Sequence, residues 1–186
     1  MSDASPKYRV LPIVLETGET LPTLVCNSDW IPLRVPTRWA VRRRRFECMD
    51  STLAANLRAL GLLYEWAEAT LHCHLDDMLE RFVIPDGRQF DSLVQFLRAR
   101  ANRPERNLNS LATVANQAVA IRLFLMWASD PTNQGSAHPK AAQQIARERA
   151  ALIEMFRPIA SYTGAAQRIP PLLKQSGHAL GHILPF

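Results

Sequence analysis

Arginine supplies most of the positive charge in this chain. Six stand between residues 34 and 45, namely Arg34, Arg38, Arg42, Arg43, Arg44 and Arg45, with no acid among them. Four more, Arg98, Arg100, Arg103 and Arg106, have one acid among them, Glu105. Lysine occurs only at Lys7, Lys140 and Lys174. A guanidinium fork can hold a phosphate or a guanine edge with two parallel bonds, which an ammonium cannot. A basic run can also be a solvated face that balances nearby acids. Here Glu65, Glu68, Asp76, Asp77 and Glu80 lie elsewhere along the chain. The pattern, with a net charge of +5, points to a polyanion, and nucleic acid fits best.

Each arginine group precedes one copy of a repeated pattern. Thr52-Leu53-Ala54-Ala55-Asn56 leads to Leu62-Leu63-Tyr64-Glu65-Trp66-Ala67, and Thr113-Val114-Ala115-Asn116-Gln117 leads to Leu123-Phe124-Leu125-Met126-Trp127-Ala128. The offset is 61 residues throughout. Two core helices of any bundle share some residues, and a common Trp-Ala pair alone says little. The gradient within the copies says more. Leu53, Leu57, Leu60, Tyr64 and Ala67 form one helical stripe, with Leu62 and Trp66 opposite. Val114, Ala118, Ile121, Leu125 and Ala128 form the matching stripe, with Leu123 and Trp127 away from it. Both second halves are apolar all round, as buried helices are. Both first halves are small, polar or basic off the stripe: Ser51, Ala54, Ala55 and Arg58 in one, Asn109, Thr113, Asn116 and Ala120 in the other.

That gradient suits helices whose N-terminal ends meet another molecule. Helix N-termini favour phosphate through unpaired N–H groups and the helix dipole. Asn116 has the groups to pair bidentately with adenine and Arg58 with guanine. Thr52 and Thr113 could bond phosphate oxygens or simply cap their helices.

Other constellations carry less. His72-Cys73-His74 has no second Cys or His cluster to complete a metal site. His178 and His182 are four apart but lack the intervening Glu of a zinc helix and are interrupted by glycine. Asp76-Asp77 reads as a solvated helix start. There is no glycine-rich phosphate loop and no nucleophile elbow. No metal or cofactor is expected. Cys26, Cys48 and Cys73 are scattered and odd in number, as in a reduced cytoplasmic protein. The N-terminus does not read as a secretory signal, and no apolar run is long enough for a bilayer.

The elements that must position these residues follow from the same reading. The chain has 186 residues and is 47% hydrophobic, enough for one ordinary core. Residues 1–35 are expected to be an N-terminal extension. Tyr8 to Leu15 and Leu21 to Val25 would pair as a hairpin about a turn at Glu16-Thr17-Gly18-Glu19. Pro36 should open a short basic helix reaching Arg45. Asp50, Ser51 or Thr52 should cap the first repeat helix, over about residues 51–69. A short acidic helix near Leu75–Phe82 follows, then a helix from Arg88 to Arg100, a basic loop, and the second repeat helix to Ala128. Residues 36–130 should form one compact helical bundle with Trp66 and Trp127 inside. Residues 131–160 should add a helix, opened by Pro139, over Ala141 to Phe156. Residues 161–186 read as a linker or tail.

The arginine run, the Ser51-Thr52 cap, Leu57-Arg58-Ala59-Leu60 and Tyr64-x-Trp66-Ala67 together resemble the N-terminal core-binding domain of tyrosine recombinases, the phage-integrase family. Ala120-Ile121-Arg122-Leu123-Phe124-Leu125-Met126-Trp127-Ala128 looks like that domain's later helix. The resemblance spans about residues 36–130. It implies a mainly α fold, an orthogonal helical bundle, that forms half of a clamp around duplex DNA. It also implies sequence-specific binding in DNA integration and recombination, with other recombinase protomers as further partners, in the bacterial cytoplasm or nucleoid. The DNA-contacting residues would be Arg38, Arg42, Arg43, Arg44, Arg45, Ser51, Thr52, Arg58, Arg103, Arg106, Thr113 and Asn116. The family's catalytic constellation has no counterpart here. After residue 130 the only tyrosine is Tyr162, and there is no His-x-x-Arg. The chain is therefore expected to bind DNA without cutting it. The rival expectation is an all-α interaction module whose arginine-rich face meets an acidic protein partner.

Overall fold

The computed structural model describes residues 6–45, 48–81, 83–101 and 110–130, together with Asn133, Ala150 and Glu154. Arg103, Arg106, Asn109 and Tyr162 lie outside the described residues, as do most of the expected helix over 141–156 and the tail after 161. The fold is mainly α with a short antiparallel hairpin.

Strand β1 (Tyr8–Val14) pairs with β2 (Thr20–Cys26). The turn closes through Leu15 N–H to the Glu19 carbonyl at 2.8 Å, with Gly18 at φ +81°. That left-handed position favours glycine. Pro12 and Pro22 face each other in the register. Neither has an N–H, so both must stand where the N–H would point away from the partner strand. Two other bonds agree with that phase. Cys26 N–H goes outward to the Ile31 carbonyl, and the Leu24 carbonyl accepts from Leu33 N–H. The hairpin therefore loses no ladder bond to its prolines.

The hairpin shares the core of the helices. Leu21, Pro22, Thr23, Leu24 and Val25 are all buried, since α1 and α2 both pack on β2. Helix α1 spans Arg34–Arg45 and buries Val35, Trp39 and Ala40. It begins two residues before Pro36, which is tolerated because first-turn N–H groups have no helical acceptor. Helix α2 spans Asp50–Leu71 and α3 spans Leu75–Glu80. Helix α4 spans Gly87–Ala101 and α5 spans Ser110–Ala128. The start of α4 is a reciprocal capping box. Gln89 N–H donates to Asp86 Oδ1 at 2.9 Å, and Asp86 N–H to Gln89 Oε1 at 2.8 Å.

The expected cap of α2 is absent. Met49 holds the N-cap position, with no side-chain bond to the helix. Asp50 is drawn instead into an ion pair with Arg44. Asp76 departs further from expectation. It is buried, and α3 presents it to two other elements. Its Oδ2 accepts from Arg34 N–H at 3.0 Å, and its Oδ1 accepts from the Tyr64 hydroxyl. Burial first, and the Asp76 charge second, push the Tyr64 hydroxyl well above its ordinary pKa, so it stays a donor.

A second polar cluster ties β1 to α2. The Tyr8 hydroxyl donates to Glu68 Oε1 at 2.7 Å, and Lys7 Nζ lies 2.6 Å from Glu68 Oε2. Burial opposes ionisation of Glu68, but bonds from Lys7 and Tyr8 outweigh it and hold its pKa below the ordinary 4.5. The Tyr8 ring meets Tyr64 edge-on at 5.7 Å. Trp66 is fully buried and donates from Nε1 to Ser92 Oγ at 3.2 Å. Trp127 is only half-buried, so the interior placement holds in full for Trp66 alone.

Two predictions rest on these clusters. Asp76→Ala leaves a part-buried N–H and a buried hydroxyl without their acceptor. It should cost about 3 kcal/mol in chemical denaturation, against about 1 kcal/mol for Tyr64→Phe. For Glu68 the folded-state pKa is depressed. Its contribution is therefore present above the unfolded value of 4.5 and disappears as pH falls through the lower folded value. Melting temperature measured against pH should show this acid limb, and Glu68→Gln should flatten it.

Candidate nucleic-acid interface

The register of α1 divides its arginines. Val35, Trp39 and Ala40 face the core, so Arg38 and Arg42, one turn apart, face solvent. Arg34 is exposed as well, but its Nη2 lies 2.9 Å from Glu80 Oε2 and 3.9 Å from Asp77 Oδ1. Arg43 is half-buried. Its guanidinium lies 5.9 Å from the Trp39 ring centroid, its Nη2 is 4.0 Å from Cys48 Sγ, and its Nε is buried without an acceptor among the described residues. Arg44 is paired with Asp50. For Arg45 only the backbone is described. Arg38 and Arg42 share the face of α1 turned away from the core, and Arg42 also has an interaction within the protein. Arg43 and Arg44 are engaged within the fold.

The second basic group is divided in the same way. Arg98 is exposed. Arg100 places Nη2 2.6 Å from Glu65 Oε2 and lies 5.2 Å from the Phe96 ring centroid, so it joins α4 to α2.

Burial follows the 61-residue repeat nearly position by position. Leu53 and Val114, Leu57 and Ala118, Ala59 and Ala120, Leu60 and Ile121, Leu63 and Phe124, Tyr64 and Leu125, and Ala67 and Ala128 are buried in both copies. Ala55 and Asn116 are exposed in both, as are Thr52 and Thr113. Arg58 and Ser51 are also exposed. The two helices pack against each other. The expected stripes are therefore the buried ones, and the expected contact residues Ser51, Thr52, Arg58, Thr113 and Asn116 stand in solvent. Ala120 is a correction. Expected off the stripe, it is buried at 3% exposure.

The histidine cluster is a helix end. His72 terminates α2 in the left-handed conformation at φ 51°, and His74 stands at the N-cap of α3. Among the described residues there is no group of His, Cys, Asp or Glu able to hold a metal ion, and no helix long and apolar enough to cross a membrane.

One exposed feature has only a turn signal, Asn27-Ser28-Asp29, in the sequence. Trp30 lies at φ 61° and is 55% exposed, with Ile31 exposed beside it. Trp30 N–H donates to the Cys26 carbonyl at 2.9 Å, and Ile31 N–H to Asp29 Oδ1 at 3.0 Å. A bulky residue in this region is unfavourable and persists only where neighbouring bonds fix it.

No protein-family model matches the chain, and no curated protein or solved structure shows significant similarity to it.

The partition of α1 makes a testable distinction. Arg43→Ala removes a cation–π interaction and packing over Trp39. It should lower stability by about 1 kcal/mol in denaturant titration. Arg38→Ala should stay within about 0.5 kcal/mol of the parent.

Proposed function

We propose that this chain binds duplex DNA in a sequence-specific manner, as the core-binding half of a tyrosine-recombinase-type protein that acts in DNA integration or recombination. The observation that carries the reading is the matched exposure of the two repeat helices. Each buries one stripe along its length and leaves small or hydrogen-bonding side chains outside at its N-terminal half. Arg38 and Arg42 supply positive charge on α1, which packs against both repeat helices.

In this reading Arg38 and Arg42 hold phosphates, with Ser51, Thr52 and Thr113 bonding phosphate oxygens near the helix starts. Such bonds fix register and orientation without reading sequence. Arg58 and Asn116 reach base edges. An Arg fork fits guanine O6 and N7, and an Asn amide fits adenine N6 and N7. In this reading residues 131–186 bind no scissile phosphate, because they hold Tyr162 but no His-x-x-Arg.

Binding measured at two salt concentrations tests this. Neutralising Arg38 and Arg42 should flatten the slope of log affinity against log salt by roughly 0.9 for each phosphate left without its arginine. Affinity should fall by a similar factor on specific and random duplexes. Asn116→Ala should instead cost about 1–3 kcal/mol on the preferred sequence and leave random duplex nearly unchanged. A parent protein with no salt-dependent affinity for duplex DNA, but with affinity for an acidic protein, would replace this reading with an interaction module. A suicide duplex carrying a nicked site should yield no covalent adduct. An adduct through Tyr162 would overturn the non-catalytic assignment.

A further inference from the structure

The repeat leaves one asymmetry unexplained. In α2 the residues Glu65 and Trp66 are covered by α4. Trp66 Nε1 donates to Ser92 Oγ at 3.2 Å, and Glu65 pairs with Arg100 at 2.6 Å. Their equivalents in α5 are Met126 and Trp127, and both are only half-buried. Leu123, on the same outward side, is 37% exposed. Trp127 Nε1 is itself buried and has no acceptor among the described residues. The C-terminal half of α5 thus presents an apolar face, Leu123, Met126 and Trp127, where its sister helix carries a packed neighbour.

The chain beyond α5 offers a matching element. Just beyond α5, Asn133 Nδ2 donates to the Trp127 carbonyl at 3.1 Å. Residues 141–156 have the sequence of an amphipathic helix. Two of them are described, Ala150 and Glu154, and both are helical and exposed. They lie one turn apart. At 100° per residue, Ile145, Leu152 and Phe156 fall on the opposite side. An apolar stripe that points away from the exposed residues needs an apolar surface to cover it.

We propose that the outward face of α5 at Leu123, Met126 and Trp127 is a docking surface for residues 141–156 of the same chain. These residues then stand to α5 as α4 stands to α2, and the covering element supplies the acceptor that the Trp127 indole lacks. The inference is independent of DNA binding, because it concerns the C-terminal half of α5 and not the exposed N-terminal half.

The test uses the full chain labelled with ¹⁵N, with the Trp127 indole signal assigned through Trp127→Phe. In the variant Ile145→Ser, Leu152→Ser, Phe156→Ser, the Trp127 indole should shift, and its hydrogen exchange should accelerate roughly tenfold or more. The Trp39 and Trp66 indoles should stay unchanged, which shows that the bundle is intact. Leu123→Glu should accelerate backbone exchange across 141–156. Ala150→Ser, on the exposed side, should alter neither signal. An unchanged Trp127 indole in the triple variant with the bundle intact would overturn the proposal. So would light scattering that shows a dimer dissociated by the triple variant, because a second copy would then be the occupant.

Discussion

A buried carboxylate sets the position of the helix on which most of the arginines stand. Asp76 has almost no contact with water and carries a charge whose desolvation costs several kcal/mol unless the charge is well bonded. It is bonded by the Arg34 N–H at the start of α1 and by the Tyr64 hydroxyl in the middle of α2. A negative charge at a helix N-terminus is favourable in its own right. Helix α1 has no acid in its own first turn, so α3 supplies it from a distance. Once the start of α1 is fixed, its rotation is fixed. Trp39 and Ala40 go inward, and Arg38 and Arg42 go outward.

The same constraint explains why the arginine run overstates the charge available to a partner. Neighbours on a helix diverge by about 100°, so consecutive arginines cannot share one face. The positions nearest the core settle into internal roles. Arg43 lies over Trp39, whose ring meets Phe124 edge-on at 5.7 Å, and Phe124 in turn stacks on Trp127 at 6.4 Å. One arginine of α1 therefore ends an aromatic series that crosses to α5. Arg34 is neutralised by α3 and Arg44 by the first residue of α2. The charge count in a sequence is thus an upper bound on an electrostatic surface.

What was legible in the sequence was periodic. The stripes of α2 and α5, the hairpin turn and the α4 boundary all rest on patterns within one segment, and local spacing carries that information. What was not legible depended on interactions between distant segments. Asp76 read as a solvated helix start because Arg34 and Tyr64, which bury and bond it, are 42 and 12 residues away. A cap for α2 was expected from Asp50, Ser51 or Thr52, but Met49 takes the N-cap position and Asp50 pairs with Arg44 on another helix. Of the expected contact residues, Ser51, Thr52, Arg58, Thr113 and Asn116 stand outside as anticipated. Arg43 and Arg44 have internal partners that residue type alone does not reveal.

A single position in the repeat shows how two helices of one design come to serve different neighbours. Gly61 of α2 and Arg122 of α5 are equivalent. At Gly61 an added Cβ would stand 3.4 Å from Tyr8 Cβ and 3.5 Å from Leu24 Cδ1, so the hairpin lies directly against the helix backbone. Helix interiors disfavour glycine by about 1 kcal/mol relative to alanine. The closeness of the hairpin, with the Tyr8–Tyr64 and Tyr8–Glu68 interactions it permits, offsets that cost. Arg122 could not allow such an approach, and the hairpin packs on α1 and α2 instead. The Arg122 side chain is half-buried, with Nε shielded and without an acceptor among the described residues. The absence of a side chain at one position makes α2 the support of the β-hairpin. A long charged side chain at the other keeps α5 clear of one, so its outer face remains available to a different neighbour.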